Sequence, residues 1–145
     1  MPTNRTRSKN SVSVQYAVPR RGVPSAASFR RWAALASSNA TLRIVGAREA
    51  RRLNRRFRKR DYATNVLSFP YGEGRGDVVL CHPVIAREAR AQGKAVAAHY
   101  AHLVVHGVLH LRGYRHEKKR EAQRMARAEA RLLRRLGLGD PYAVE

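Results

Sequence analysis

The sequence has a single cysteine, Cys81, which excludes a disulfide framework within the chain. A single cysteine fits a reducing, cytoplasmic location. Because Cys81 lies in an apolar run, we expect a buried thiol. No apolar run reaches the roughly 20 residues that cross a bilayer, and the basic N-terminus lacks the hydrophobic segment of a secretory signal. We therefore expect a cytoplasmic protein that has no contact with a membrane.

Acidic residues are also scarce, since 10 Asp and Glu stand against 30 Lys and Arg, a net charge of +20 over 145 residues. Solubility does not require so one-sided a balance. A membrane-surface protein would need an amphipathic helix with bulky apolar residues on one face, and no segment has that pattern. The charge therefore predicts a polyanionic partner, and nucleic acid is the commonest one.

The 43% of hydrophobic residues is enough for one globular core. Hydrophobic periodicity predicts four strands, at 11–18, 41–46, 65–71 and 77–81. It predicts five helices, from about 25 and at 47–58, 83–92, 94–111 and 117–136. This order favours one mixed sheet with helices packed on it, after a short flexible arm at 1–10.

Three of the six histidines lie in the segment HGVLHLRGYRH, residues 106–116. His106 and His110 are four residues apart, so a helix places both rings on one face, one turn apart. Gly113 allows a sharp turn after the helix, which lets His116 fold back as a third ligand. Three imidazoles leave a tetrahedral zinc ion one open position, the pattern of catalytic sites. Packed core histidines are the alternative interpretation.

The spacing H-x-x-x-H-x-x-G-x-x-H also matches a family of zinc peptidases, in which a glutamate follows the first histidine and serves as general base. Here that position is Gly107, which cannot accept a proton. A phosphodiester, whose developing negative charge needs cations, fits the net charge better than an amide. His99 and His102, further up the same helix, could support a metal ligand, contact RNA or pack; we expect packing or solvent exposure. For His82 we expect a turn.

The segment 106–116 resembles the signature of the YbeY family of bacterial rRNA maturation factors and endoribonucleases. Two further blocks are similar to that family: LNRRFRKRDYATNVLSFPY at 53–71 and GDVVLC at 76–81. The likeness covers roughly residues 40–137. It implies a single α+β domain, here 11–140, with a small mixed four-stranded sheet and about five helices.

The resemblance also implies a function. His106, His110 and His116 would bind one metal ion, taken as zinc, and Arg58 would face the metal cleft as a catalytic residue. The activity would be metal-dependent cleavage of single-stranded RNA in 16S rRNA 3′-end maturation and ribosome quality control. One departure is Arg115, where the family has aspartate; we expect it either to alter metal affinity or turnover, or to point outward and meet RNA.

The residues themselves support a role for Arg58, because a guanidinium binds phosphate bidentately. We predict that its basic neighbours contact the RNA backbone without sequence choice; they are Arg51, Arg55, Arg56, Lys59 and Arg60. The expected partners are single-stranded rRNA and the small ribosomal subunit, with ribosomal proteins or an assembly GTPase as further candidates. The alternative is a non-catalytic ribosome assembly factor whose histidines hold a structural ion.

Overall fold

The computed structural model of the protein describes residues 11–36 and 39–138. Four strands lie in this part of the chain, β1 (Ser13–Tyr16), β2 (Asn39–Val45), β3 (Val66–Gly72) and β4 (Arg75–Cys81). Five helices accompany them, α1 (Ala26–Ala36), α2 (Ala47–Arg58), α3 (His82–Gln92), α4 (Val96–Leu111) and α5 (Lys119–Arg135). The α+β class and the element order are confirmed. The predicted arm at 1–10, and the predicted domain end at 140, lie outside the described residues.

The strands form one mixed sheet in the order β1-β2-β4-β3. β1, β2 and β4 are parallel, and β3 pairs antiparallel with β4 as its hairpin partner. Pro70 lies near the end of β3, where the register shifts. β3 is an edge strand, which is where a sheet tolerates a proline that cannot donate a ladder hydrogen bond.

The alternation of residues along β4 places apolar side chains on both faces of the sheet. Val78 and Leu80 lie in a large core with α1, α4 and α5, whereas Val79 and Cys81 lie in a smaller core with α2. A strand that is buried on both faces has a nearly continuous run of apolar residues in its sequence, as DVVLC does. Cys81 is fully buried, as predicted, and burial raises the pKa of its thiol.

Helix α4 is the central element because it packs against α1, α5, β3 and β4 together. Most of its residues are buried, among them Tyr100, whose ring packs edge-on against Phe29 at a centroid distance of 5.3 Å. This packing fixes the C-terminal half of α4 beside β3. The chemistry-bearing histidines of that half are therefore held on a rigid element, not on a loop.

The starts of α1 and α3 each involve a side-chain contact. Ser25 precedes α1, and its Oγ accepts a hydrogen bond from the backbone N–H of Ser28 at 3.2 Å, as expected for an N-cap. The turn assigned to His82 is wrong, because His82 is the first residue of α3 and its Nδ1 lies 2.7 Å from the hydroxyl of Tyr100. No helix within 11–36 or 39–138 has the length and apolar character that a membrane crossing requires.

Candidate metal centre

His106 and His110 lie on the last two turns of α4, and the chain turns back directly afterwards. Gly113 has a φ of 96°, a left-handed conformation that glycine adopts without strain. The turn brings His116 to the same place, with its ring centroid 5.5 Å from that of His106 and 4.7 Å from that of His110. One nitrogen from each of the three rings lies within 4.8 Å of the others. The predicted convergence of these three rings is present in the structure.

The Nε2 atoms of His106 and His110 are 3.2 Å apart. Ligands about 2.0–2.1 Å from a tetrahedral zinc ion lie about 3.3–3.4 Å from one another, so the observed separation matches a shared ion. Nδ1 of His110 lies 2.9 Å from the carbonyl oxygen of Tyr114. A carbonyl only accepts hydrogen bonds, so this Nδ1 carries the hydrogen and Nε2 presents its lone pair.

Behind His106 lies a carboxylate that the sequence analysis did not assign to the site. Glu129 of α5 is 1% exposed, and its Oε2 lies 3.1 Å from Nδ1 of His106. The carboxylate accepts the Nδ1 hydrogen, so Nε2 of His106 also presents a lone pair toward His110. Two lone pairs facing each other at 3.2 Å need a cation between them, and the residues therefore fit a bound metal ion.

Glu129 also joins a second histidine to this arrangement. Its Oε1 lies 2.8 Å from Nε2 of His102, so a single buried carboxylate spans two rings of α4. The ligand atoms of His102, His106 and Glu129 lie within 4.8 Å of one another, but their closest contacts are these hydrogen bonds. Carboxylates that hydrogen-bond a metal-ligating histidine fix its tautomer and orientation. His102 therefore contacts the carboxylate that orients His106, which is one of the roles left open for it.

The electrostatic environment keeps His110 in the neutral form that can bind a cation. Burial, followed by the neighbouring rings of His106 and His116, lowers the pKa of His110 to about 4. The ring is therefore neutral at physiological pH, the form that binds metal. His99 lies further up α4, with its Nε2 2.9 Å from Glu88 Oε1, and burial lowers its pKa too.

Gly107 faces the sheet, and its lack of a side chain has a packing reason. A Cβ at this position would lie 2.7 Å from Cγ1 of Val78 and 3.2 Å from Oγ of Ser68. The backbone carbonyl of Gly107 also accepts the Ser68 hydroxyl at 3.2 Å. A glutamate in the position of the peptidase base has no room here, so the structure supports the distinction from those peptidases.

The histidines open into a cleft between α4, β3 and the turn after α4. Arg58, at the end of α2, lies on its wall, and its Nη2 donates to the carbonyl of Ser68 at 2.6 Å. The guanidinium also lies over the ring of Phe69, 5.2 Å from its centroid. Asn65 lines the same cleft, with its amide donating to Glu88 Oε1 at 3.0 Å. Arg115 is exposed and also lines the cleft.

The other basic residues predicted to bind RNA are exposed but do not line this cleft, in the part of the chain that the structure describes. Arg51 and Arg55 border a separate depression on the outer face of α2. There Arg51 donates two hydrogen bonds to Asp61, at 2.7 and 3.0 Å, which places a carboxylate within the basic patch. Of the α2 group, only Arg58 is at the histidines.

Comparison with known proteins gives the same family as the signature residues. The family model described as "Endoribonuclease YbeY" matches residues 23–137. The protein named "Endoribonuclease YbeY" of Stenotrophomonas maltophilia (strain K279a) is 51% identical over 151 aligned positions, covering 92% of this chain and 94% of that protein. The protein of the same name from Xanthomonas axonopodis pv. citri (strain 306) is 50% identical, and the alignment again covers 92% of this chain and 94% of that protein.

The fold also has a counterpart among solved structures. The solution structure of TM1509 from Thermotoga maritima superposes with a TM-score of 0.53, covering 92% of this chain and 100% of the other at 19% identity. At that identity, the comparison shows a shared fold and nothing about function. The family model and the two relatives at about half identity show that this chain belongs to the Endoribonuclease YbeY family.

Proposed function

We propose that this chain is a zinc-dependent endoribonuclease that cleaves single-stranded RNA and acts in 16S rRNA 3′-end maturation and ribosome quality control. Membership of a family whose relatives carry the name endoribonuclease supports the reaction class. The observation that carries the chemistry is the pair of Nε2 lone pairs on His106 and His110, which face each other at 3.2 Å beside the ring of His116.

His106, His110 and His116 are the residues that would hold the metal ion. Three imidazole ligands, two of them with Nε2 atoms 3.2 Å apart, favour zinc over ions that prefer oxygen ligands. Such an ion, when bound, supplies a Lewis acid for a phosphoryl oxygen and lowers the pKa of a bound water. Glu129 and the carbonyl of Tyr114 hold two of the rings in the tautomer that binds metal.

Arg58 is the residue that would bind the scissile phosphate. The Ser68 carbonyl and the Phe69 ring hold the guanidinium, so little side-chain freedom is lost when a phosphate arrives. Its remaining N–H groups can take two phosphate oxygens and stabilise the charge that builds on them. Arg58 is therefore proposed as the catalytic cation of the cleft.

The exposed cations beyond the cleft are proposed to bind the RNA backbone. Arg55, Arg56, Lys59 and Arg60 are exposed and present cationic groups that recognise phosphates without reading bases. Arg51 is proposed to join them with reduced strength, because Asp61 already occupies its guanidinium. The proposed partners are single-stranded rRNA and the small ribosomal subunit, with ribosomal proteins or an assembly GTPase as further candidates, all in the cytoplasm.

The test measures metal content and RNA cleavage on the same preparation. We expect about one zinc ion per chain by elemental analysis, cleavage of a single-stranded rRNA fragment, and loss of cutting on chelation, with recovery on zinc addition. His110→Ala should lose both metal and cleavage. Arg58→Lys should keep the metal and lose cleavage, because a lysine is a point charge without the planar fork.

Each result decides between the proposed enzyme and its alternative. Equal cutting by the wild type and His110→Ala would identify a contaminating nuclease. A protein that holds one ion per chain, binds rRNA and never cuts it would be a non-catalytic assembly factor. The open cleft around the histidines favours the enzyme, because a structural zinc site is closed by a fourth protein ligand.

A further inference from the structure

Helix α5 has one side in the core and the other in solvent. Its buried side includes Met125, Leu132 and Leu133. At 100° per residue, six exposed arginines fall within an arc of about 100° on the opposite side. They form what we call the α5 arginine stripe: Arg120, Arg124, Arg127, Arg131, Arg134 and Arg135. The stripe is about 22 Å long at 1.5 Å per residue.

The charge of this stripe is not balanced within the described chain. α5 has two acidic residues, Glu121 and Glu129. Glu129 is buried against the histidines, and Glu121 accepts the backbone N–H of Lys118 at the start of the helix. None of the salt bridges among the described residues includes an arginine of the stripe. Like charges three and four residues apart destabilise a helix, so this arrangement costs stability unless an anion binds.

The stripe is continuous with the histidine cleft. A surface depression lies between the start of α5 and the turn that follows α4, and Arg124 lines it together with Arg112, Tyr114 and Arg115. Arg112, Tyr114 and Arg115 also line the cleft. An RNA strand that leaves the cleft over Arg115 therefore enters the depression that Arg124 of the α5 arginine stripe lines.

We propose that the α5 arginine stripe binds the phosphate backbone of the RNA strand outside the cleft, as a second docking surface for the substrate. The proposal rests on the proposed endoribonuclease function and extends it. Cations at successive helical turns match a chain of regularly spaced phosphates. An anionic membrane is a poorer match, because the apolar side of α5 is buried and the exposed large apolar residues, Phe57, Tyr62 and Tyr71, lie on other elements.

The first experiment measures backbone binding apart from cleavage. The full-length, zinc-loaded protein is titrated by fluorescence anisotropy with a single-stranded DNA of about 16 nucleotides, which presents phosphates without a ribose 2′-OH, at several salt concentrations. The test variant is Arg124→Gln/Arg127→Gln/Arg131→Gln. Its matched control, Arg21→Gln/Arg87→Gln/Arg90→Gln, removes the same charge from exposed positions outside α5 and the cleft.

Three lost phosphate contacts should reduce the slope of log K against log salt by about 2, since each contact on a single strand contributes about 0.7. If the variant and the wild type bind equally at 1 M salt, this difference in slope corresponds to about 50-fold weaker binding by the variant at 0.15 M salt. The control should keep the wild-type slope. Equal slopes in the two triple variants would overturn the proposal. Loss of binding to phosphatidylserine vesicles with unchanged DNA binding would also overturn it, in favour of a membrane.

The second experiment links the stripe to turnover. For a single-stranded RNA long enough to follow α5, the test variant should raise KM by a similar factor and leave kcat unchanged. A short oligoribonucleotide that fills only the cleft should be cut as by the wild type. Unchanged KM on the long RNA overturns the stripe while the proposed function stands. If the wild type cuts neither RNA, the proposed function is overturned. The salt slopes measured on DNA then still show whether the α5 arginine stripe binds the phosphate backbone.

Discussion

The change Glu129→Gln tests whether the buried carboxylate holds His106 in its metal-binding form. The carboxylate accepts from Nε2 of His102 at 2.8 Å and from Nδ1 of His106 at 3.1 Å. Glutamine has the same shape but only one accepting oxygen, and its NH₂ group must face one of the two rings. Either that ring changes tautomer or two donors oppose each other in a site that is 1% exposed.

The expected size of the effect comes from the role of such partners in metal sites. Loss of a carboxylate that supports a metal-ligating histidine lowers metal affinity by about 10–100-fold. This corresponds to about 1.4–2.8 kcal/mol of binding free energy, at about 1.4 kcal/mol for each factor of ten. The assay is competition for zinc with a chromogenic chelator at pH 7, on folded protein verified by circular dichroism.

The matched control is Asp61→Asn. It also removes one carboxylate charge, but Asp61 pairs with Arg51 on the outer face of α2, away from the histidines. We expect the control to bind zinc as the wild type does. Wild-type zinc affinity in folded Glu129→Gln would refute the reasoning, because the carboxylate would then not govern the His106 tautomer.

Three further predictions concern packing, burial and pH. Gly107→Ala should lower the free energy of unfolding by about 1–3 kcal/mol in urea titrations, because its Cβ would lie 2.7 Å from Val78. The Cys81 thiol should react with Ellman's reagent only after unfolding, since it is fully buried with a raised pKa. The hydrogen bond from Arg43 lowers the pKa of Glu49 below its ordinary 4.5, so this pair stabilises the fold above that pH and the contribution is lost as pH falls. Acid titrations should show a shallower decline for Glu49→Gln.

The sequence could predict the elements because their signals are local. The four-residue spacing of His106 and His110 determines a shared helix face in any fold that contains the helix. The glycine at 113 permits the turn that returns His116. The continuous apolar run in DVVLC and its short length indicate a buried strand, and the structure confirms β4 there. None of these inferences requires knowledge of which elements are neighbours in space.

Periodicity could predict neither the order of strands nor which arginine lies at the cleft; only the family resemblance indicated Arg58. Seven basic residues lie between 51 and 60, and periodicity treats them alike. Arg58 alone among them lines the cleft that contains the histidines, and the Ser68 carbonyl accepts a hydrogen bond from its guanidinium. Packing of α2 on the sheet made that selection.

Helix spacing and strand alternation are properties of neighbouring residues, so the sequence indicates which residues can ligate a metal and which elements carry them. The tertiary structure is needed to place Glu129, 23 residues after His106, against its Nδ1. It also decided that Gly107 would face Ser68 and Val78. Contacts of this kind depend on how α5 and β3 pack against α4. That packing depends on the apolar surface buried by the whole core, which no short segment of sequence contains.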